Sequence, residues 1–273
     1  MRRPLEVPNR ASRAFTRCDV AFTVAALTLR ALVTAPVWGH ASPTRQLLCI
    51  ENLRRLQAAW SLYIEDQSGR LPLNPSIAES LFPVPGRLGW ISGAMSWDLA
   101  QHNTNTAYLT EARNAALAPY AGANASLYKC PDDDYLSPQQ VARGWSQRVR
   151  SYVMNHYLGS ATGYIPEFRY FRKLTDLQRL PPRLASVFLE EHPDSINDPL
   201  FLNSPTARQW GDILASFHEG ACWFSFADGH LELRRWRSPT TLFPVRFLYP
   251  NTTTLKPDDP DWTWVQERAS ERR

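Results

Sequence analysis

The segment Phe217–Trp236, FHEGACWFSFADGHLELRRW, constrains the fold more than any other stretch of the chain. Asp228-Gly229 stands between two runs of alternating residues, the pattern of a β-hairpin whose turn needs positive φ. Read as a two-residue loop, it pairs Ala227 with His230, Phe226 with Leu231, Ser225 with Glu232 and Phe224 with Leu233. Cys222, Phe224, Phe226, Leu231 and Leu233 then share one face, and Ser225, Ala227, His230, Glu232 and Arg234 the other. A slip of one residue would exchange those faces, so the pattern argues for this register. The expectation is a core hairpin over 221–236 with its turn at the surface. His218, Asp228 and His230 are residue types that a metal or acid–base cluster uses. The hairpin places His218 far down the strand from the turn, however, and Asp228 is accounted for by the turn itself. No catalytic residue is assigned.

The second constraint is helical. Over Thr44–Asp66, Cys49, Leu53, Leu56, Trp60 and Tyr63 recur at three- and four-residue spacing, with Arg45, Glu51, Arg54, Arg55 and Glu65 mostly off that stripe. Gln67-Ser68-Gly69 and Pro72 end it. Farther on, Thr110–Tyr120 reads as a helical patch. Arg148–Leu158 reads as a strand with flanks, and Arg183–Glu190 ends in a buried-strand run, Val187-Phe188-Leu189. The 273 residues are 44% hydrophobic, enough for one core, and 22 Pro against 12 Gly imply long, ordered, irregular connections. The reading is an α+β head over 67–250, followed by a polar C-terminal tail, 251–273.

Several classes of function are disfavoured. A net charge of +4 without an aromatic-interleaved basic run argues against a nucleic-acid partner. The four cysteines, Cys18, Cys49, Cys130 and Cys222, form no CxxC pair, which argues against a cysteine-based zinc site. Serine-nucleophile, HExxH and phosphate-loop motifs are absent. Glu190, Glu191, His192, Asp194, Asn197 and Asp198 come after a buried strand as an oxygen-rich loop. Glu191, Asp194, Asn197 and Asp198 are Ca²⁺ candidates, with a solvated acidic turn as the alternative. Asp132, Asp133 and Asp134 form a second acidic turn.

The N-terminus carries Arg2, Arg3, Arg10, Arg13 and Arg17 ahead of the apolar run Val20–Val33, interrupted by Arg30. Basic residues before an apolar stretch place the N-terminus in the cytoplasm and the chain beyond that stretch outside. One reading is a signal cleaved near Ala41, which would release a secreted binding module. Another is a retained membrane helix of marginal length. A third rests on Ala14, Phe15 and Asp19, with Pro36 twenty-one residues after Phe15. These resemble a type IV prepilin processing site, in which Phe begins the mature chain and an acid stands shortly after it. Residues 1–14 would then be a basic leader and 15–38 a membrane or filament helix.

His218 and Asp228-Gly229 form a His-x9-Asp-Gly motif. Beside it stand Cys49-x-x-Asn52-Leu53-Arg54-x-Leu56, Gly69-Arg70-Leu71-Pro72, Leu117-x-Pro119-Tyr120, Tyr128-Lys129-Cys130-Pro131-x-Asp133, Arg148–Asn155 and Ser195–Asp198. In this order, from about Ala14 to Trp236, they resemble the prepilin-processing-associated His-x9-Asp-Gly family. The resemblance implies a pilin-like lollipop, with a long N-terminal helix packed on a small antiparallel sheet. It also implies a structural, non-enzymatic subunit of a bacterial type II secretion or pilus-like system. Such a subunit is anchored in the cytoplasmic membrane by a single span, has a periplasmic head, and partners other pilin-like subunits and the secretion machinery. A His/Asp hydrolase is the rival from another class. Cys49 and Cys130 both fall in family-like motifs, which makes them the candidate disulfide, while Cys222 reads as a small buried hydrophobe.

Overall fold

The computed structural model describes residues 43–273, apart from 84–85, 161–162 and 250–254. Ala14, Phe15, Asp19, Cys18, the segment 15–38 and the site near Ala41 lie outside the described residues.

The long helix, α1, spans Pro43–Asp66. Its inner stripe is the expected one: Cys49, Leu53, Leu56 and Trp60 are essentially inaccessible to solvent. It ends where Ser68 and Gly69 turn left-handed, and the Gly69 amide caps the Ile64 carbonyl at 2.8 Å. Short helices come next at Ile77–Leu81 (α2), Ala107–Thr110 (α3) and Pro138–Ala142 (α4). The strands are β1 (Tyr152–Asn155), β2 (Ser186–Glu190), β3 (Leu200–Phe201), β4 (Ala221–Phe226) and β5 (Leu231–Arg235), and α5 closes the chain over Pro260–Ala269.

The strands form one sheet in the order β3-β1-β2-β4-β5. Pairing is antiparallel except between β1 and β3, where Met154 and Asn155 lie beside Leu200 and Phe201 in parallel. Alternation along the strands divides the core into two layers. Tyr152 and Glu190, paired across β1 and β2, reach the α1 side. Leu189 and Phe224, paired across β2 and β4, face α5, where Phe224 meets Trp264 edge-on at 4.9 Å.

This architecture corrects the expected fold. The sheet is mixed and five-stranded, the other described helices are short, and the only long described helix begins at Pro43, so a pilin-like lollipop with a long N-terminal helix on a small antiparallel sheet does not describe it. The single-pass membrane anchor with a periplasmic head is corrected as well: among the described residues, no helix is long and apolar enough to cross a membrane. The tail also differs from its reading. Asp259 caps α5 through the amides of Asp261 and Trp262, and the helix then buries Trp262, Trp264 and Val265 against the sheet. Three large apolar side chains on one face outweigh the polar average of the segment. Of the patch Thr110–Tyr120, only Thr110 is helical, at the end of α3; turns occupy the rest.

The hairpin exists, shifted by one residue. Trp223 faces Leu233, Phe224 faces Glu232 and Ser225 faces Leu231. The loop holds three residues, Ala227-Asp228-Gly229, closed by the Phe226 amide to the His230 carbonyl at 3.0 Å, with Gly229 at φ 95°. Such a loop ends on a left-handed residue, so Gly229 occupies the bulge position rather than the second of two turn positions. Asp228 Oδ1 accepts from the His230 amide at 3.2 Å and lies 2.6 Å from His230 Nδ1, while the His230 ring stacks on Phe226 at 4.3 Å. Cys222, Phe224 and Phe226 are buried as expected; Leu231 and Leu233 change face and are only half-buried on this edge strand.

The packing generates two tests. Phe224→Ala removes a ring locked between Trp236 and Trp264 and should cost about 3–5 kcal/mol by denaturant unfolding. Leu231→Ala, on the half-buried edge, should cost clearly less. The second test is a pH dependence. His156 lies among Tyr157, Tyr164 and Tyr170, and its Nε2 is 3.1 Å from the Tyr170 hydroxyl. Burial pulls its pKa from 6.5 down to about 4. Between those values the unfolded chain holds a proton that the native state rejects, so this contribution is present above pH 6.5 and disappears as pH falls toward 4. The stability advantage of the wild type over His156→Gln should shrink by about 2–3 kcal/mol between pH 7 and 4.5; parallel pH profiles would contradict it.

Candidate functional site

Four polar side chains from four distant segments meet in the core between α1 and the sheet. Cys49 points inward from the stripe of α1. Cys130 comes after the turn at Tyr128-Lys129, where its amide donates to Ser151 Oγ at 3.1 Å and Asn52 of α1 donates to the Lys129 carbonyl at 3.0 Å. Glu190 ends β2, where strand alternation aims it at α1. His218 precedes β4 in a turn closed by its own amide to the Ala221 carbonyl at 3.3 Å. That turn places Glu219 and Gly220 in the left-handed region, which doubles the chain back and directs the imidazole inward.

The distances are short. Glu190 Oε1 lies 2.9 Å from His218 Nε2 and 2.9 Å from Cys49 Sγ. Cys49 Sγ lies 3.1 Å from Cys130 Sγ, and the two sulfurs are 3.5 and 3.6 Å from His218 Nε2. All four donor atoms lie within 4.8 Å of one another and all four residues are buried. Three of the four also have a neighbour outside the cluster. Asp132 Oδ2 faces His218 Nδ1 at 3.1 Å. The Trp223 amide donates to Glu190 Oε2 at 2.9 Å, and the Tyr152 hydroxyl lies 2.9 Å from Cys49 Sγ.

The electrostatics reflect burial and the Glu190–His218 pair. Burial alone would raise the Glu190 pKa, but the adjacent imidazolium outweighs it and holds the carboxyl below its usual range. For His218, burial opposes the charge, yet Glu190 pushes its pKa up to about 11. Burial moves the Cys49 thiol up to about 12 and Cys130 well above the ordinary thiol value. Burial thus favours the neutral thiol at both cysteines.

The structure joins some of the residues singled out in the sequence and separates others. Cys49 and Cys130, the candidate disulfide, are brought together as free thiols. His218 enters the cluster, whereas Asp228 and Gly229 build the exposed turn, so the motif divides into a buried half and a turn-forming half. Cys222 is buried with its sulfur 3.4 Å from the Glu190 carbonyl. The Ca²⁺ candidates turn to different partners. Glu191 Oε1 accepts from Ser195, Asp194 accepts from Trp97 Nε1 and the amides of Arg246 and Phe247, and Asp198 caps the Leu200 amide. Asn197 offers its backbone carbonyl to Met95.

Glu190, Asp132 and Tyr152 are the members that sequence reasoning missed. Glu190 had a signal: a charged residue closing a run of buried strand residues requires a buried partner. Nothing local names that partner, which is 28 residues away at His218. A groove of about 740 Å³ lies elsewhere and is lined by Arg70, Arg87, Arg172 and Lys173 with no acid, thiol or imidazole.

Removing one member should strand the others. Glu190→Ala leaves a buried imidazole and the Trp223 amide without their acceptor, and should destabilise the protein by about 3–5 kcal/mol in equilibrium unfolding. Glu219→Ala, on the exposed side of the same turn, should change stability by less than about 0.5 kcal/mol. Comparisons of the chain with known protein families, curated proteins and solved structures give no match.

Proposed function

We propose that the protein is a non-enzymatic structural subunit of a pilus-like or type II secretion assembly, the role its motifs resemble. One observation carries this reading: the histidine of the His-x9-Asp-Gly motif is locked into a buried cluster that ties α1 to the sheet. A substrate would have no access to it without unfolding the core, and the Asp-Gly half serves the hairpin turn. The motif is therefore best explained as architecture that fixes α1 on the sheet.

The outer face of α1 supports the same reading. Leu47, Leu48 and Leu62 are 66%, 50% and 50% exposed. At 100° per residue they fall within about one third of the helix circumference, together with Glu51, Arg55 and Ala58. An apolar stripe edged with both charges suits packing against a second helix of the same kind.

A photo-crosslinking residue at Leu48 or Leu62 of the full chain, in its host cell, should capture a pilin-like chain identified by mass spectrometry. The same residue at buried Leu56 should capture none. Absence of any pilin-like chain from the Leu48 and Leu62 products contradicts the assembly reading.

A further inference from the structure

We propose that Cys49, Cys130, Glu190 and His218 form a structural zinc site. The donor set is two sulfurs, one imidazole nitrogen and one carboxylate oxygen, a combination that suits Zn²⁺ rather than Ca²⁺ or Mg²⁺. Around a tetrahedral zinc, with bonds of about 2.3 Å to sulfur and 2.0–2.1 Å to nitrogen or oxygen, neighbouring donors stand about 3.3–3.8 Å apart. The two sulfur–nitrogen edges here, 3.5 and 3.6 Å, already match. The sulfur–sulfur edge of 3.1 Å and the carboxylate edges to Cys49 and His218, both 2.9 Å, need to open by less than one ångström, while the remaining edge, Cys130 to Glu190, lies within 4.8 Å.

The surroundings match those of a metal shell. His218 points Nε2 at the cluster, and its Nδ1 lies 3.1 Å from Asp132 Oδ2 without a hydrogen bond of good geometry; a small rotation of either group would make Asp132 the carboxylate partner of a ligating imidazole. The Trp223 amide holds Glu190 Oε2 away from the cluster, leaving Oε1 directed inward. The Tyr152 hydroxyl beside Cys49 Sγ can donate to a thiolate. All four ligands are buried, the arrangement of a closed structural site with no open position for a reacting water.

Binding forms four metal–ligand bonds without oxidation or reduction. The two thiol protons and the imidazole proton leave to solvent, and Glu190 exchanges its partner His218 for the ion. The ion would then anchor α1, the Cys130 segment, β2 and the turn before β4 to one point. This inference stands apart from the assembly reading, since either crosslinking outcome leaves it intact.

The test uses the full chain purified without chelator, its metal content measured by elemental mass spectrometry and its thiols counted after denaturation. The expected result is about one zinc per chain and both Cys49 and Cys130 as thiols. Replacement of zinc by Co²⁺ should give a thiolate-to-metal charge-transfer band. Cys222→Ser should keep the zinc, and Cys49→Ser should lose it. Because Cys49→Ser could fail to fold, Asp132→Asn serves as the milder variant: it leaves every ligand in place and should weaken zinc about 10–100-fold, read by competition with a chelator. A folded wild-type chain that takes up neither Zn²⁺ nor Co²⁺, a Cys49–Cys130 disulfide, or an unchanged affinity in Asp132→Asn would each overturn the proposal.

Discussion

A carboxylate that no water can reach governs this structure. Glu190 ends β2 with its side chain directed at the long helix, and such a charge is tolerable only where partners fully surround it. Those partners come from far along the chain: His218 from the turn before β4, Cys49 from α1 and the Trp223 amide from β4 itself. Meeting the needs of one ion therefore fixes the height of α1 on the sheet, the path of the Cys130 segment and the doubled-back turn at 218–221. The apolar stripe Cys49–Leu53–Leu56–Trp60 supplies the bulk of the burial on this side. The polar cluster adds contacts of 2.9 Å from Cys49 to Glu190 and to the Tyr152 hydroxyl, and so constrains the register of helix on sheet.

The opposite layer works differently. Between the sheet and α5 lie Phe224, Trp236, Trp262 and Trp264, held by edge-on aromatic contacts, with Arg234 and Arg268 over the Trp264 ring at 5.0 and 4.1 Å. The interaction is largely apolar, and it covers the side of the sheet away from the cluster. Both helices also carry polar constraints: α1 through the Glu190 cluster, and α5 through buried Asp261, which accepts from the amides of Arg237 and Ser238, and through its last carbonyls, which accept from Asn155 and Ser186 of the sheet.

Local pattern made α1, β1 and β2 legible, because the 3.6-residue stripe and the short apolar runs are properties of contiguous sequence. The hairpin was legible as a hairpin but not in its register: the alternation of Phe224, Phe226, Leu231 and Leu233 favoured a two-residue loop, while the conformational demand of Gly229 and the stacking of His230 on Phe226 settled a three-residue one. β5 then lies at the sheet edge, where half-burying Leu231 and Leu233 costs little. The C-terminal helix was hidden by charged neighbours of its three buried apolar residues, and β3 by its shortness. The cluster itself was only half legible. His218, Cys49 and Cys130 stood in recognisable motifs, but Glu190 and Asp132 looked like members of acidic turns, and only the three-dimensional path brings residues 81 and 141 positions away beside Cys49.

One buried cluster couples four segments that are otherwise remote in sequence, and hydrogen exchange on the full chain, wild type against His218→Gln, measures that coupling directly. The predicted result is a joint loss of protection, of similar free energy, in α1 around Cys49–Leu56, in the amides near Cys130, at the end of β2 and at the start of β4. Faster exchange confined to the turn at 216–221, with α1 and the Cys130 segment as protected as before, would contradict it.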